Sequence, residues 1–186
     1  MNFLGLDIST SVVGFCVMND KLEIVEYGYC DISEIQDIYE KLSNVKEKIC
    51  SLNDEYDLDG IFVENFLFRF AAGKSRIQTL IKLCEFNTLI KYECLLLGKK
   101  PVLLNVLHAR KIALGKSSSK EFNSVKDFVI SIINTIYPDI KWEWVYKKRK
   151  KETVLDSRCY DIADSMVICR AGIIERNEIQ SNREHT

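Results

Sequence analysis

Four acidic residues stand in the sequence where apolar residues are expected. Asp7 interrupts the apolar segment 3–8, and Glu64 directly follows an apolar triplet. Asp161 and Asp164 are three residues apart in an apolar stretch, and in a helix that spacing places both on one face. Ionised carboxylates are costly to bury without partners, so the pattern predicts a shared acidic site. Each acid alone has an ordinary alternative, as a turn cap, a solvated strand end or a solvent-facing helix residue.

Clustered carboxylates repel one another, and a hard cation relieves that repulsion. Asp and Glu supply the oxygen ligands that Mg²⁺ and Mn²⁺ prefer, whereas the seven cysteines form no C-x-x-C pair and the chain has two histidines. Two such ions about 3.5–4 Å apart activate a water and neutralise the leaving oxygen of a phosphodiester. The residue types therefore predict metal-dependent phosphodiester hydrolysis, with these metal ligands: Asp7, Glu64, Asp161 and Asp164.

The elements that must position these acids follow from the apolar periodicity. Three consecutive strands with tight turns predict an antiparallel meander, and alternating helices and strands follow it. The strands are expected at 2–8, 12–18, 21–29, 61–63 and 101–106, and the helices at 33–52, 74–97, 122–136 and 157–175, the first capped by Ser33. This order predicts an α/β fold in which a mixed five-stranded β-sheet is flanked by α-helices.

Length and charge set the domain organisation. We expect one domain over residues 1–176, with a mobile basic insertion at 139–156 and a frayed polar tail at 177–186. The net charge of −1 hides an asymmetry, because residues 1–60 carry 4 Lys and Arg against 13 Asp and Glu, whereas residues 65–151 carry 18 against 6. A local positive field of that size predicts a nucleic-acid surface, although lysines also solvate ordinary helix faces.

Targeting signals are not apparent in the sequence. No apolar run approaches the ~20 residues of a membrane-spanning helix, and the first residues lack the basic segment of a signal peptide. We therefore expect a cytoplasmic protein without a membrane partner.

Several motifs resemble those of one nuclease family. The segments 4–14, 63–66 and 161–165 (the last reading D-I-A-D-S) resemble three acidic motifs of the RuvC-type Holliday-junction resolvases. The segments 108–111 and 115–120 resemble the basic region before the penultimate helix of that family. Over about residues 3–175 the chain is thus similar to the RuvC-type resolvases of the RNase H-like superfamily, in particular to their viral, phage and poxvirus branch. The chain departs from the bacterial pattern in its longer basic segment before Asp161.

The resemblance implies an RNase H-like fold and a homodimeric endonuclease. Such an enzyme binds four-way DNA junctions and cuts two opposing strands, leaving 5′-phosphate ends, with two Mg²⁺ or Mn²⁺ ions in each active site. The four acids would hold the metals, and Lys120 would lie near the scissile phosphate. The basic region and the resemblance together give these candidate DNA contacts: Phe66, Phe68, Arg69, Lys74, Arg76, Arg110, Lys111, Lys116, Lys120, Lys147, Lys148 and Arg149. The two phenylalanines could equally be core residues.

Other functions receive less support from the sequence. Gly-Lys-Ser occurs at 73–75 and 115–117, but neither copy has the glycine five residues earlier that a P-loop needs, so no nucleotide cofactor is expected. An RNase H-like nuclease acting on other branched DNA or on RNA–DNA hybrid remains an alternative. A junction-binding module without catalysis is a further alternative.

Overall fold

A computed structural model describes residues 1–65, 77–147, 149 and 151–184 of this chain. The strands are β1 (Asn2–Ile8), β2 (Val12–Asn19), β3 (Ile24–Asp31), β4 (Leu58–Glu64), β5 (Val102–Leu104), β6 (Trp144–Lys147) and β7 (Glu152–Leu155). The helices are α1 (Ile38–Tyr56), α2 (Ile77–Leu96), α3 (Val106–Leu114), α4 (Val125–Ile136) and α5 (Arg158–Glu184). Within these residues no helix combines the length and apolar character needed to cross a membrane.

Five strands form one mixed sheet in the order β3-β2-β1-β4-β5. The first three are antiparallel, whereas β4 pairs in parallel with β1 and β5 pairs in parallel with β4. The predicted five-stranded mixed sheet is therefore confirmed. Strand β1 is central, and its carboxyl end lies beside that of β4.

Alternation along β1 assigns its side chains to two different layers. Leu4, Leu6 and Ile8 join the core cluster that contains the buried residues of α1 and α2. Phe3 belongs to the cluster formed with α3, α4 and α5. Since side chains alternate along a strand, Asp7 lies on the same face as Phe3, the face that α5 covers.

Glycines allow α5 to lie close against the sheet. A Cβ atom built on Gly5 would overlap the carbonyl oxygen of Ser165, and one built on Gly14 would overlap that of Asp161. Further along the helix, a Cβ on Gly172 would overlap the ring of Phe62. These close approaches fix α5 across β2, β1 and β4, with its first turns over the end of β1.

The first helix begins later than the sequence pattern predicted. Its N-cap is Asp37, whose Oδ1 accepts hydrogen bonds from the backbone N–H groups of Tyr39 and Glu40, both at 2.9 Å. Ser33 instead donates its hydroxyl to Asp31 Oδ1 at 2.6 Å. A carboxylate that satisfies two free N–H groups at the helix start is the stronger cap, so the predicted Ser33 cap is wrong.

Three further elements differ from the sequence prediction. Helix α3 was not predicted, because its apolar residues continue the pattern of β5 and only the Asn105 cap marks its start. The expected insertion at 139–156 contains a hairpin, in which β6 pairs antiparallel with β7. The tail was expected to fray from residue 177, but α5 continues as a helix to Glu184.

Candidate active site

Two of the predicted acids lie side by side at the carboxyl ends of parallel strands. Asp7 is the penultimate residue of β1, and Glu64 is the last residue of β4. The preceding residues Leu6 and Val63 are register partners in the parallel pair of β1 and β4. Asp7 and Glu64 are therefore the next residues on two adjacent strands. A hydrogen bond joins the side chains of Asp7 and Glu64.

Helix α5 brings the other two acids over this pair. The carbonyl of Asp161 lies against Gly14, and Gly14 is the cross-strand register partner of Asp7. Asp164 follows three residues later on the same helix face. The negative charges of both residues act on the carboxyl of Asp7. The structure therefore brings together the four acids that the sequence singled out.

The surroundings of Asp7 and Glu64 disfavour two adjacent negative charges. Burial is the largest cause that raises the pKa of Asp7 well above its usual range, and the charges of Asp164, Glu64 and Asp161 raise it further. Burial and the charge of Asp164 also raise the pKa of Glu64, while Arg110 opposes that rise. A hydrogen bond between two carboxyl groups requires a proton on one of them, and the raised pKa values of both Asp7 and Glu64 favour a proton held within the pair.

Asp161 has a different electrostatic environment, because a lysine acts on it. Burial and the charge of Asp164 raise the pKa of Asp161 to about 6, and the nearby Lys126 opposes the increase. Lys126 lies in the first turn of α4, and its Nζ is 4.9 Å from the centroid of the Tyr160 ring. Sequence reasoning missed Lys126. The one sequence feature that could have identified Lys126 is its position in the first turn of a helix, where the helix dipole makes a positive charge unfavourable.

Arg110 lies inside the acidic cluster. Its Nη2 donates to Asp164 Oδ1 at 3.0 Å, and the two side chains are only 14% and 17% exposed. The Nε of Arg110 is buried and has no hydrogen-bond partner among the residues that the structure describes. The sequence suggested Arg110 as a DNA contact, whereas in this structure it is the counter-ion of Asp164. This ion pair spans 54 residues and could not be predicted from local pattern.

The donor set fits a hard divalent cation in its chemistry. All four groups are carboxylates, and burial with the charges of neighbouring acids disfavours the ionised forms of Asp7, Glu64 and Asp161. Within the described ranges, however, no three His, Cys, Asp or Glu side chains form a ready-made metal-binding group. Two of the acids already have partners inside the cluster, since Asp164 is paired with Arg110 and Asp7 is hydrogen-bonded to Glu64. A cation at this site has to replace those contacts.

The other predicted site residues are distributed around the cluster. Lys120 is exposed in the turn before α4. The pKa shifts of Asp7 and Asp161 have other causes than the charge of Lys120. Lys111 and Lys116 are also exposed. Lys147 and Arg149 are exposed in the β6–β7 hairpin. The remaining candidates lie outside the described residues, namely Phe66, Phe68, Arg69, Lys74, Arg76 and Lys148.

Solved structures share this architecture over nearly the whole chain. A Thermus thermophilus RuvC structure matches with a TM-score of 0.66 at 13% identity, covering 96% of this chain and 97% of that one. The yeast mitochondrial Holliday junction resolvase matches with a TM-score of 0.60 at 13% identity, covering 98% and 82%. The fowlpox virus resolvase, solved with substrate Holliday junction DNA, matches with a TM-score of 0.54 at 15% identity, covering 95% and 99%.

The chain has the RNase H-like fold of RuvC. The fold that the motifs implied is thereby confirmed, at identities far too low for a global sequence match to have shown it. Neither the protein-family models nor the curated proteins compared with this chain match its sequence. In the RNase H-like fold of this chain, the acidic cluster lies where the central strands β1 and β4 end beneath α5.

Proposed function

We propose that this chain is a Holliday-junction resolvase, a divalent-metal-dependent endonuclease that cuts opposing strands of four-way DNA. The observation that carries the proposal is the convergence of Asp7 and Glu64, at the ends of β1 and β4, with Asp161 and Asp164 of the overlying α5. Similar folds in T. thermophilus RuvC and the fowlpox virus resolvase, both solved with Holliday junction DNA, support the choice of substrate. We assign the nuclease domain to residues 1–176.

The acidic residues are the metal ligands in this proposal, with Mg²⁺ or Mn²⁺ as the ions. Two divalent ions held by these carboxylates would supply activation of the attacking water and charge neutralisation at the leaving 3′-oxygen, a reaction that would leave 5′-phosphate products. As metal ligands, Asp7 and Glu64 would both be ionised, so the proton held between them would be released. If Asp164 held a metal, its pair with Arg110 would have to open, and the guanidinium would then be available to bind the scissile phosphate as a planar fork.

Exposed cations beside the cluster form the proposed path of the DNA backbone. Lys111, Lys116 and Lys120 are exposed at the end of α3 and in the segment that connects it to α4. Arg110 and Asp164 join α3 to α5, so this segment lies at the same end of the molecule as the carboxylates. Phosphates bound there would pass the acidic site, and we assign Lys120 to the neighbourhood of the scissile phosphate.

An exposed apolar stripe on α2 supports the proposed homodimer. At helical spacing along α2 lie Ile77, Ile81, Tyr92 and Leu95, and these side chains are between 49% and 71% exposed. Large apolar side chains spaced in this way form one face that water solvates poorly. A four-way junction has two-fold symmetry, and a symmetric dimer formed through α2 would carry two active sites, one for each of two opposing strands.

Substitution of one stripe residue tests the dimer. Leu95→Glu places a charge in the stripe, and sedimentation velocity should then show monomers where the wild type shows dimers. Ile179→Glu is the matched control, because Ile179 is 53% exposed on α5, outside the α2 stripe. Sedimentation of the wild type only as a ~21 kDa species, with and without junction DNA, would remove the dimer from the proposal.

Cleavage of defined substrates tests the activity. Four labelled substrates are compared in Mg²⁺ or Mn²⁺, namely a four-way junction, a fork, a plain duplex and an RNA–DNA hybrid. The wild type should cut the junction at symmetric positions on opposing strands and leave 5′-phosphate ends. Asp7→Asn should bind the junction without cutting it, whereas the exposed control Asp54→Asn should cut normally. Equal cutting of the hybrid or the duplex would contradict the resolvase assignment.

A further inference from the structure

The hairpin formed by β6 and β7 stands apart from the main sheet. Its register pairs Trp144 with Leu155 and Tyr146 with Thr153, and within the described residues the two strands form a sheet of their own. A lone two-stranded hairpin is marginally stable in water. The hairpin therefore needs support from the rest of the chain, and the contacts at its base supply it.

Arg158, the first residue of α5, holds the base of the hairpin. Its Nη2 donates to Asp156 Oδ2 at 2.6 Å and lies 3.7 Å from Glu143 Oε2. The backbone N–H of Asp156 donates to the carbonyl of Glu143 at 2.9 Å, which closes the two ends of the hairpin. These contacts tie the hairpin to the start of α5, three residues before Asp161 of the acidic cluster.

The same guanidinium reaches the edge of the main sheet. Nη1 of Arg158 donates to Asp31 Oδ2 at 3.3 Å, and its guanidinium carbon lies 4.7 Å from the ring centroid of Tyr29. Tyr29 in turn donates its hydroxyl to Glu143 Oε2 at 3.2 Å. The hairpin is thus held against both β3 and α5, at a defined position relative to the acidic cluster.

One face of the hairpin carries two exposed aromatic side chains. Trp144 is 63% exposed and Tyr146 is 61% exposed, and their spacing of two along β6 places both on one face. The opposite face carries the register pair Val145 and Val154, which is partly buried. Trp142 differs from Trp144, because it packs against the core and donates its indole N–H to Asn134.

The residues that connect β6 to β7 add positive charge next to this aromatic face. Residues 147–151 are all Lys or Arg, and the described members Lys147, Arg149 and Lys151 are exposed. Paired exposed aromatics beside such a charge match the two parts of a nucleotide, namely a flat base and an anionic phosphate. An apolar protein partner would match the rings but not the basic turn.

We propose that the hairpin face formed by Trp144 and Tyr146 stacks on an unpaired base at the branch point of the DNA, while the basic turn binds the adjacent phosphates. This inference rests on the proposed function and names a specific contact that selects branched over plain duplex DNA. A base in a continuous duplex is already stacked on its neighbours, so only a branch or a nick offers it to the hairpin. The fixed base at Arg158 then sets the distance between that branch point and the carboxylates.

Tryptophan fluorescence tests the stacking directly, because the chain has only two tryptophans. Trp142→Phe leaves Trp144 as the single reporter, and its emission should be quenched when a four-way junction binds in EDTA. A plain duplex of the same arm sequence should bind more weakly and leave the emission unchanged at saturation. The matched control Trp144→Phe leaves Trp142 as the reporter, whose emission should not respond to either DNA.

Affinity provides the second measurement. Trp144→Ala should weaken junction binding about 5- to 10-fold, as expected for the loss of one aromatic–base stack, and Trp144→Phe should restore most of it. Junction binding that leaves the Trp144 emission unchanged would overturn the inference, and so would equal quenching by plain duplex. If the Trp144 emission is quenched as the protein concentration rises in the absence of DNA, the aromatic face binds a second copy of the chain. That result would also overturn the inference. A junction that is bound and quenches Trp144 but is never cut would overturn the proposed activity alone.

Discussion

The carboxylate of Asp161 should destabilise the metal-free protein at neutral pH. Its pKa is raised from 3.8 to about 6 in the folded chain, with burial as the main cause. A raised folded-state pKa means that the folded chain holds the proton more tightly than the unfolded chain does. The stability contributed by that proton is therefore complete below pH 3.8, falls as the pH rises towards 6, and is absent at pH 8.

The size of the effect follows from the shift. At about 1.4 kcal/mol per pKa unit, a rise of about two units corresponds to roughly 3 kcal/mol, and partial solvent access of the side chain reduces this to about 2 kcal/mol. Asp161→Asn removes the charge and keeps the shape. In EDTA at pH 8 the variant should be more stable than the wild type by about 2 kcal/mol, which is about 4–8 °C in Tm for a chain of this length.

Thermal melts followed by circular dichroism at pH 4 and pH 8, in EDTA, measure this difference. At pH 4 the two proteins should unfold within a degree or two of each other, because most Asp161 is then protonated. Glu47→Gln, on an exposed position of α1, is the matched control and should not change the Tm difference between the two pH values. An Asp161→Asn variant that is no more stable than the wild type at pH 8 would refute the argument that burial, with the nearby charge of Asp164, disfavours the ionised form of Asp161.

Three further predictions address the positioning of the site. Gly14→Ala should lower the free energy of unfolding by about 1–3 kcal/mol in urea, because the added Cβ would overlap the Asp161 carbonyl. Gly60→Ala is the control and should cost less, because its Cβ would lie at an ordinary 3.4 Å from the Phe3 ring. Arg110→Gln leaves Asp164 without its counter-ion and should destabilise the metal-free protein by about 3 kcal/mol at pH 8. Asp20→Asn, which breaks a pair with the N-terminal ammonium in which both partners are exposed, should cost under about 1 kcal/mol. Lys116→Ala should weaken junction binding and lower the slope of log K against log salt by about 0.9, and an unchanged slope would remove Lys116 from the DNA path.

Local pattern was sufficient to find the acids and the sheet. Asp7 and Glu64 each interrupt or end an apolar run that alternation assigns to a strand, and parallel neighbours place their carboxyl ends together. The spacing of Asp161 and Asp164 gave a shared helix face. Such features depend on residues close in sequence, so a pattern of two to four residues is enough to reveal them.

Contacts between distant segments could not be predicted in the same way. The pairing of Arg110 with Asp164 depends on α3, whose apolar residues read as a continuation of β5. The hairpin of β6 and β7 lacks an Asn-Gly or Asp-Gly turn, and its basic turn resembles a loop. Its position is set by Arg158 through Asp31 and Glu143, and no local sequence signal connects those residues.

Binding of Mn²⁺ tests the central claim, that the four carboxylates form one cation site. Electron paramagnetic resonance at pH 8 counts the free ion as the metal is titrated into protein without DNA. The wild type should remove Mn²⁺ from solution, Asp7→Asn should lose most of that binding, and Asp54→Asn should bind as the wild type does. Equal binding by Asp7→Asn, or none by the wild type at millimolar Mn²⁺, would contradict the claim.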